Sequence, residues 1–364
     1  MARSILVVGG GIAGSTLATL LGRARHRVTL VERDAGQRSS GSPVDVRGAA
    51  LPVVDRLAVT DALRTSDTGV TYVEFVDERG RRRARATMRR NSAADVEISR
   101  STLNRVLIDA AADVAEIVHD DGPAHLESDA SGVDVTFERG RRSRFDLVVG
   151  ADGQHSTVRR LAFGPESVYA SPLGLAVATA PVDDSLVSAP DVVQVCNVPG
   201  ACMTVHPAGG HPGLAFLFRT GIGRPADRDG QQRELEQRYA GRGWRSAELV
   251  AAARAAEDLY FDTVNQVSVP TWSRGRVVLL GDSASSITIL GEGCSMAVAG
   301  AGALADALAG TDDVDAAVTA YERDHRPRVT AAQRGAGYGA SVLVPRTARG
   351  IGLRNLLVRV ARRV

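Results

Sequence analysis

Three glycines in "GGGIAGSTLATL", at positions 9, 11 and 14, combine with an acid at Glu32 into a pattern that can seat a dinucleotide. Without side chains, Gly9 can make a tight turn, Gly11 lets a pyrophosphate reach the backbone, and Gly14 lets a helix pack close to a strand. The start of that helix presents unpaired N–H groups and the positive end of its dipole to the phosphates. Glu32, with Arg33 beside it, falls where a carboxylate accepts hydrogen bonds from an adenosine ribose. An acid there favours an unphosphorylated ribose, as in FAD or NAD.

Two further stretches place a carboxylate directly after an apolar run. "DLVVGADGQHSTVRR" carries Asp152 on a glycine-rich turn, with Arg159 positioned to balance that charge or to hold the turn. By itself it also reads as an ordinary strand-to-helix connection with an Asp cap. "RVVLLGDSASSITILGEGCSM" carries Asp282 in the same way, then Gly291 and Gly293 on either side of Glu292, before an Ala-rich helical segment that begins at Cys294 and Ser295.

The elements that must position these residues follow from periodicity. Residues 4 to 9 form an apolar run of strand length, Ile12, Leu17, Leu20 and Leu21 recur at helical spacing, and "HRVTLVER" supplies a second strand. Together they make a βαβ unit. A helix is predicted from Arg100 to Val114, a hairpin turn at Gly140, and a short helix from Ser156. From Val168 to Val269, short β-prone pieces alternate with Pro/Gly turns around one helix near Gln231 to Tyr239, which predicts an antiparallel sheet. From Ala297 the chain reads as helical. It ends in the basic, amphipathic "IGLRNLLVRVARRV", whose narrow apolar face predicts a packed terminal helix, with no stable membrane association.

Composition narrows the classes. The chain has 364 residues, and all 44 basic residues are Arg, against 42 acids. Aromatics at 4% leave no platform for stacking bases, and "RGRRRARATMRR" reads as a turn at Gly80 between solvated strand faces, so nucleic acid is not an expected partner. Cys196, Cys202 and Cys294 form no CxxC pair and have no histidine at ligand spacing, so neither a disulfide framework nor a metal site is expected. No apolar run approaches the roughly 18 to 20 residues of a membrane span, and no leader pattern follows the first strand; a cytoplasmic protein is expected.

Taken in order, these motifs resemble those of the FAD-dependent aromatic hydroxylases, the single-component flavoprotein monooxygenases that include para-hydroxybenzoate hydroxylase. The resemblance covers nearly the whole chain. Gly9, Gly11, Gly14 and Glu32 match the family's ADP-binding fingerprint, "DLVVGADGQHSTVR" its Asp-Gly motif, and "RVVLLGDSA" its Gly-Asp motif. The resemblance implies that Asp282 contacts the FAD ribityl chain and that Asp152 supports the pyrophosphate region. It also implies that Arg100 in "EISRSTL" reaches the flavin side, and that Asp45 and Arg47 lie on a loop passing the ring. Gly291, Gly293, Cys294 and Ser295 would lie at the pyrimidine edge, where the helix start favours an anionic reduced flavin.

The fold implied is α/β. A discontinuous Rossmann-like FAD-binding domain (1–70, 98–167, 270–330) carries an antiparallel substrate-binding sheet domain (71–97, 168–269), followed by a C-terminal helical segment (331–364). The activity implied is hydride transfer from NAD(P)H to FAD, then transfer of an oxygen atom from O2 to an aromatic or polycyclic small molecule. A specialised metabolite is the expected substrate, and a monomer or homodimer the expected state.

The chain departs from the family between Asp282 and Gly291. The family usually reads Gly-Asp-Ala-Ala-His and then a Pro-containing loop, whereas this chain has Ser285 where the His often falls and no Pro, which predicts a looser turn. Glu292 would oppose an anionic flavin unless it points away. An FAD-dependent oxidase or reductase, and a flavoprotein with structural FAD, therefore stay open as alternatives. His155, His206 and His211 are candidate acid/base groups, none assigned as catalytic.

Overall fold

The computed structural model describes residues 1–35, 42–88, 92–221, 223–286, 292–334 and 336–361, without the side chains of 336–338. Its first element is β1 (Ser4–Val8), four of whose five side chains are buried, as a strand covered on both faces requires. Helix α1 (Ile12–Arg23) follows after three residues, and β2 (Arg27–Glu32) returns parallel to β1. Leu17 and Leu21 of α1 are withdrawn from water, each burial worth roughly 1.5–3 kcal/mol.

Strands Leu147–Gly150 and Val277–Leu279 extend this sheet on one side of β1, and Glu116–His119 extends it beyond β2. All of these pairs are parallel, and Ser273–Arg274 closes one edge antiparallel. The 18-residue apolar helix Gly293–Gly310 packs against α1 and against helix Val314–Gln333. Its length and composition alone would let it cross a membrane; here more than half of it is buried inside the protein, in the core it shares with α1 and the parallel sheet.

A second sheet has seven strands, in the order Tyr260–Val267, Ala170–Pro181, Gly213–Arg219, Ala201–His206, Val192–Val198, Tyr72–Val76 and Arg82–Thr87. It is antiparallel except where Tyr72–Val76 joins parallel to Val192–Val198, a pairing that sequence pattern did not foresee. That parallel contact arises because the hairpin turning at Gly80 comes from an earlier part of the chain and docks onto an edge completed over a hundred residues later. Helices Arg228–Tyr239 and Ser246–Ala255 cover one face. The second of them is not among the helices that the sequence predicts. Tyr239 anchors the first: its ring packs on Phe216 and Phe218, and its hydroxyl donates to the Cys202 carbonyl at 2.9 Å. The other face meets the terminal helices.

Candidate functional site

The three motifs converge at the C-terminal ends of three neighbouring parallel strands. Gly9 N–H donates to the Val31 carbonyl (2.8 Å), Ala151 N–H to Val8 (2.8 Å), and Leu280 N–H to Gly150 (2.9 Å), so each turn begins from its neighbour's last rung. In open α/β sheets the crevice beyond these strand ends is where ligands seat.

Within the first turn the glycines divide their tasks. Gly9 has φ +106°, and a Cβ there would come within 2.5 Å of the Ala151 carbonyl oxygen. A Cβ on Gly14 would collide with the Gly9 carbonyl, so helix and strand approach too closely for any side chain. At Gly11 a Cβ would meet nothing within 4 Å. The fold itself therefore requires Gly9 and Gly14, while Gly11 leaves open space in front of the start of α1. No side chain caps that helix start, so its first N–H groups remain available to an acceptor. These are features that fit a pyrophosphate. Glu32 holds the turn from the other side: its carboxylate accepts from Gly10 N–H at 2.6 Å and Asp34 N–H at 3.0 Å. Arg33 is exposed just beyond it.

Asp152 serves its own turn. It accepts from the Ser156 hydroxyl and from Val158 N–H (3.0 Å), whereas the cap of the following helix is Ser156, accepting from Arg159 N–H at 2.9 Å, in place of the Asp cap the sequence also allowed; burial pushes the Asp152 pKa up against its hydrogen bonds. Arg159 is fully buried and donates to the carbonyls of Ser283 (3.0 Å) and Gln154 (2.6 Å). It thus holds the turn, and ties the Asp152 turn to the Asp282 turn across 124 residues of chain. The Ser283 hydroxyl donates to the Gly150 carbonyl and makes the same link from the other side.

Asp282 sits in the single 3-10 turn Gly281–Ser283. Its carboxylate has no hydrogen bond among the described residues, and burial raises its pKa while the charge of Arg100 opposes the rise. Arg100 is exposed at the start of helix Arg100–Ala112, whose cap is Ser99, accepting from Thr102 N–H at 3.1 Å. The same guanidinium acts on Cys294 and on Tyr260, so it lies where both sheets meet.

Ser295 joins the Asp45–Arg47 segment to the helix start. Its hydroxyl donates to the Asp45 carbonyl (2.8 Å) and accepts from Arg47 N–H (3.0 Å). Arg47 in turn lies 3.3 Å from the Asp45 carboxylate and 3.5 Å from that of Glu292. Glu292 occupies the position before Gly293, the first residue of the long apolar helix. Cys294 is buried, which pushes its thiol up to about 12, so it stays protonated and is no nucleophile at neutral pH. Gly291 lies outside the described residues, as do positions 287–290 of the departing loop.

The start of that loop is stitched to the second sheet, while the looser turn expected from the missing Pro falls on positions outside the described residues. Ser286 Oγ accepts from Val267 N–H and donates to the Asn265 carbonyl, both at 2.8 Å, and Gln333 bonds the carbonyls of Val267 (2.8 Å) and Ser286 (3.1 Å). Neither Ser286 nor Gln333 stood out in the sequence, because an isolated Ser or Gln carries no local pattern.

Of the histidines, His206 ends a strand, with its Nδ1 accepting from Ala208 N–H (2.9 Å) and its Nε2 3.5 Å from Glu97, and His211 is an exposed turn residue. His155 does more: it bridges Glu166 (3.0 Å) and Asp262 (3.1 Å), the latter on the outermost strand of the second sheet. The described residues contain no cluster of potential metal ligands.

Comparison with known proteins agrees with this geometry. The FAD binding domain family matches residues 3–336. An uncharacterized protein of Mycobacterium tuberculosis is 36% identical over 85% of this chain and 86% of its own length. An FAD-dependent monooxygenase of Sarocladium schorii is 30% identical over 92% of this chain and 86% of its own. Among solved structures, the tetracycline destructase Tet(55) superposes with a TM-score of 0.86 at 26% identity, covering 99% of this chain and 96% of that one. Klebsiella pneumoniae HpxO, solved with FAD and uric acid, shares the fold at 22% identity, with a TM-score of 0.79 over 98% of this chain and 92% of its own. The crevice at the strand ends, the open space at Gly11 and these matches give one conclusion: the chain belongs to the FAD binding domain family and is an FAD-dependent monooxygenase.

Proposed function

We propose that this enzyme is a cytoplasmic, NAD(P)H-using monooxygenase that hydroxylates or epoxidises an aromatic or polycyclic small molecule, with a specialised metabolite as substrate. The observation that carries the reading is the meeting of the Gly9–Gly14 turn, the Asp152 turn and the Asp282 turn at adjacent strand ends, with Arg47 and Arg100 alongside. The six-stranded, mainly parallel sheet is the cofactor half in this reading, and the seven-stranded sheet is the substrate half.

FAD bound there supplies hydride acceptance and oxygen activation, the chemistry that amino-acid side chains lack. The remaining work belongs to the chain. N–H groups at the start of α1 would receive the pyrophosphate past Gly11, and Glu32 keeps their turn in place through Gly10. The Asp282 carboxylate, raised in pKa by burial and without a hydrogen-bond partner among the described residues, would accept from a ribityl hydroxyl. At the ring, Ser295 fixes the Asp45–Arg47 segment against the helix start, whose positive end and Arg47 both favour negative charge on the reduced cofactor. Tet(55) is by its name a tetracycline destructase, and tetracycline is polycyclic, which supports a polycyclic substrate.

The test is substrate-coupled turnover. The purified flavoprotein should oxidise NADPH or NADH faster in the presence of a suitable aromatic compound, and label from 18O2 should appear in the product. Hydrogen peroxide release with no labelled product from any compound would favour the oxidase alternative. Failure of both nicotinamides to reduce the flavin would overturn the monooxygenase assignment of NAD(P)H.

A further inference from the structure

The terminal helix, Ala348–Ala361, turns a mixed face inward, with Val358 packed on the cluster around Val73 and Phe75 beside two polar residues. Arg354 and Asn355 are its buried residues. Arg354 donates to Asn197 Oδ1 at 2.8 Å and lies over the Phe75 ring at 4.1 Å, while Asn197 donates to the Leu343 carbonyl at 2.7 Å. Its leucines face away: Leu353, Leu356, Leu357 and Val360 are 59%, 50%, 59% and 76% exposed. At spacing i, i+3, i+4 and i+7 they form one stripe along the outer face. A helix that buries an arginine and leaves three leucines and a valine in water is built for a partner outside the chain.

Charge selects the partner. From His325 to Val364 the sequence contains nine arginines and no Asp or Glu. Arg349 continues the exposed stripe toward the helix start, Arg359 flanks it, and Arg346 is exposed in the preceding loop. Arg362 and Arg363, outside the described residues, add to the same end in sequence. A second copy of this chain would bring two wholly basic helices together with no acid between them. An anionic lipid leaflet instead accepts the leucines into its acyl boundary and answers the arginines with headgroup phosphates.

We propose that the outer face of helix Ala348–Ala361 docks reversibly on an anionic lipid surface, lying in its plane. The buried Arg354 side keeps the helix on the seven-stranded sheet, so docking needs no unfolding and leaves the cofactor crevice on its own sheet.

The test uses the full-length, FAD-loaded protein and co-sedimentation with vesicles. Binding to phosphatidylglycerol vesicles should exceed binding to phosphatidylcholine vesicles by about tenfold or more and should weaken as salt rises. Leu356→Asp with Leu357→Asp should abolish it, and Arg349→Glu with Arg359→Glu should weaken it by about tenfold or more, with flavin absorbance unchanged in both variants. Equal binding to both lipids, no binding to either, or undiminished binding by both double variants overturns the proposal. So does a concentration-dependent dimer of the native protein that the Leu356/Leu357 variant fails to form, because the stripe would then be a contact between copies.

Discussion

The Arg47 guanidinium lies between two carboxylates, 3.3 Å from Asp45 and 3.5 Å from Glu292. Glu292 stands at the start of a helix whose positive end would favour an anionic reduced flavin in the proposed site, and its own charge would oppose that effect were it free. Pairing with Arg47 answers the question posed by an acid between Gly291 and Gly293. Arg47→Met should therefore lower the flavin midpoint potential, by about 30 mV or more, because two acids lose their counter-charge together. Adding Glu292→Gln should recover part of that drop. Spectroelectrochemical titration measures both, and an unchanged potential in Arg47→Met would place these charges out of reach of the ring.

Gly11 and Gly14 should separate binding from folding. Gly14→Ala drives a methyl into the Gly9 carbonyl, so the apoprotein itself should lose stability, by about 1–3 kcal/mol, and flavin with it. Gly11→Ala meets open space, so the apoprotein should melt as the native chain does while its affinity for FAD falls at least tenfold. Thermal melting with and without FAD distinguishes the two. Native affinity in Gly11→Ala would mean that the phosphates do not pass this position.

Asp282→Ala should leave the fold intact and weaken FAD retention, because the carboxylate has no hydrogen bond among the described residues to lose. Fluorescence of flavin released on dilution reads the effect. Full retention would remove Asp282 from the ribityl contact.

His155 joins the Asp152 turn to the outer strand of the second sheet, so this clasp should depend on pH. The hydrogen bond and charge of Asp262 raise its pKa above 6.5, against partial burial, whereas Asp262, despite burial pushing it up, is held low by the hydrogen bond from His155. The pair's contribution is therefore complete between the unfolded carboxylate and imidazole pKa values, roughly 4 to 6.5. It fades as pH rises through the folded His155 value, and as pH falls through that of Asp262. His155→Gln should flatten the stability profile between pH 6 and 8, as judged by thermal melting in a series of buffers.

His325 should act in the opposite direction. It is buried between Trp272 and Tyr321, with Gly300 of the neighbouring helix so close that a Cβ there would lie 2.7 Å from its Nε2. Burial lowers its pKa from 6.5 to about 4, so the native fold requires it neutral. Stability should fall as pH drops below 6.5, reaching a loss of roughly 3 kcal/mol near pH 4. A His325→Phe variant should lose that acid sensitivity, and persistence of the full slope would assign it to other groups.

Short-range pattern determined a great deal by itself. The run Ser4–Val8, the helical spacing of Ile12, Leu17, Leu20 and Leu21, and the turns at Gly80 and Gly140 are local signals, written in neighbouring residues, and each appears where it was expected. The glycine spacing likewise marked a turn in which positions 9 and 14 admit no side chain. What the tertiary structure decided concerns groups whose partners are remote in sequence. Arg159 with Ser283, Ser295 with Asp45, Glu292 with Arg47, and Arg354 with Asn197 meet across roughly 120 to 250 residues, and no periodicity encodes such meetings. The terminal helix shows the limit most plainly. Its amphipathic pattern fixed two faces, but which face turns inward depended on the Asn197 amide and the Phe75 ring waiting on a distant sheet, and they took the arginine.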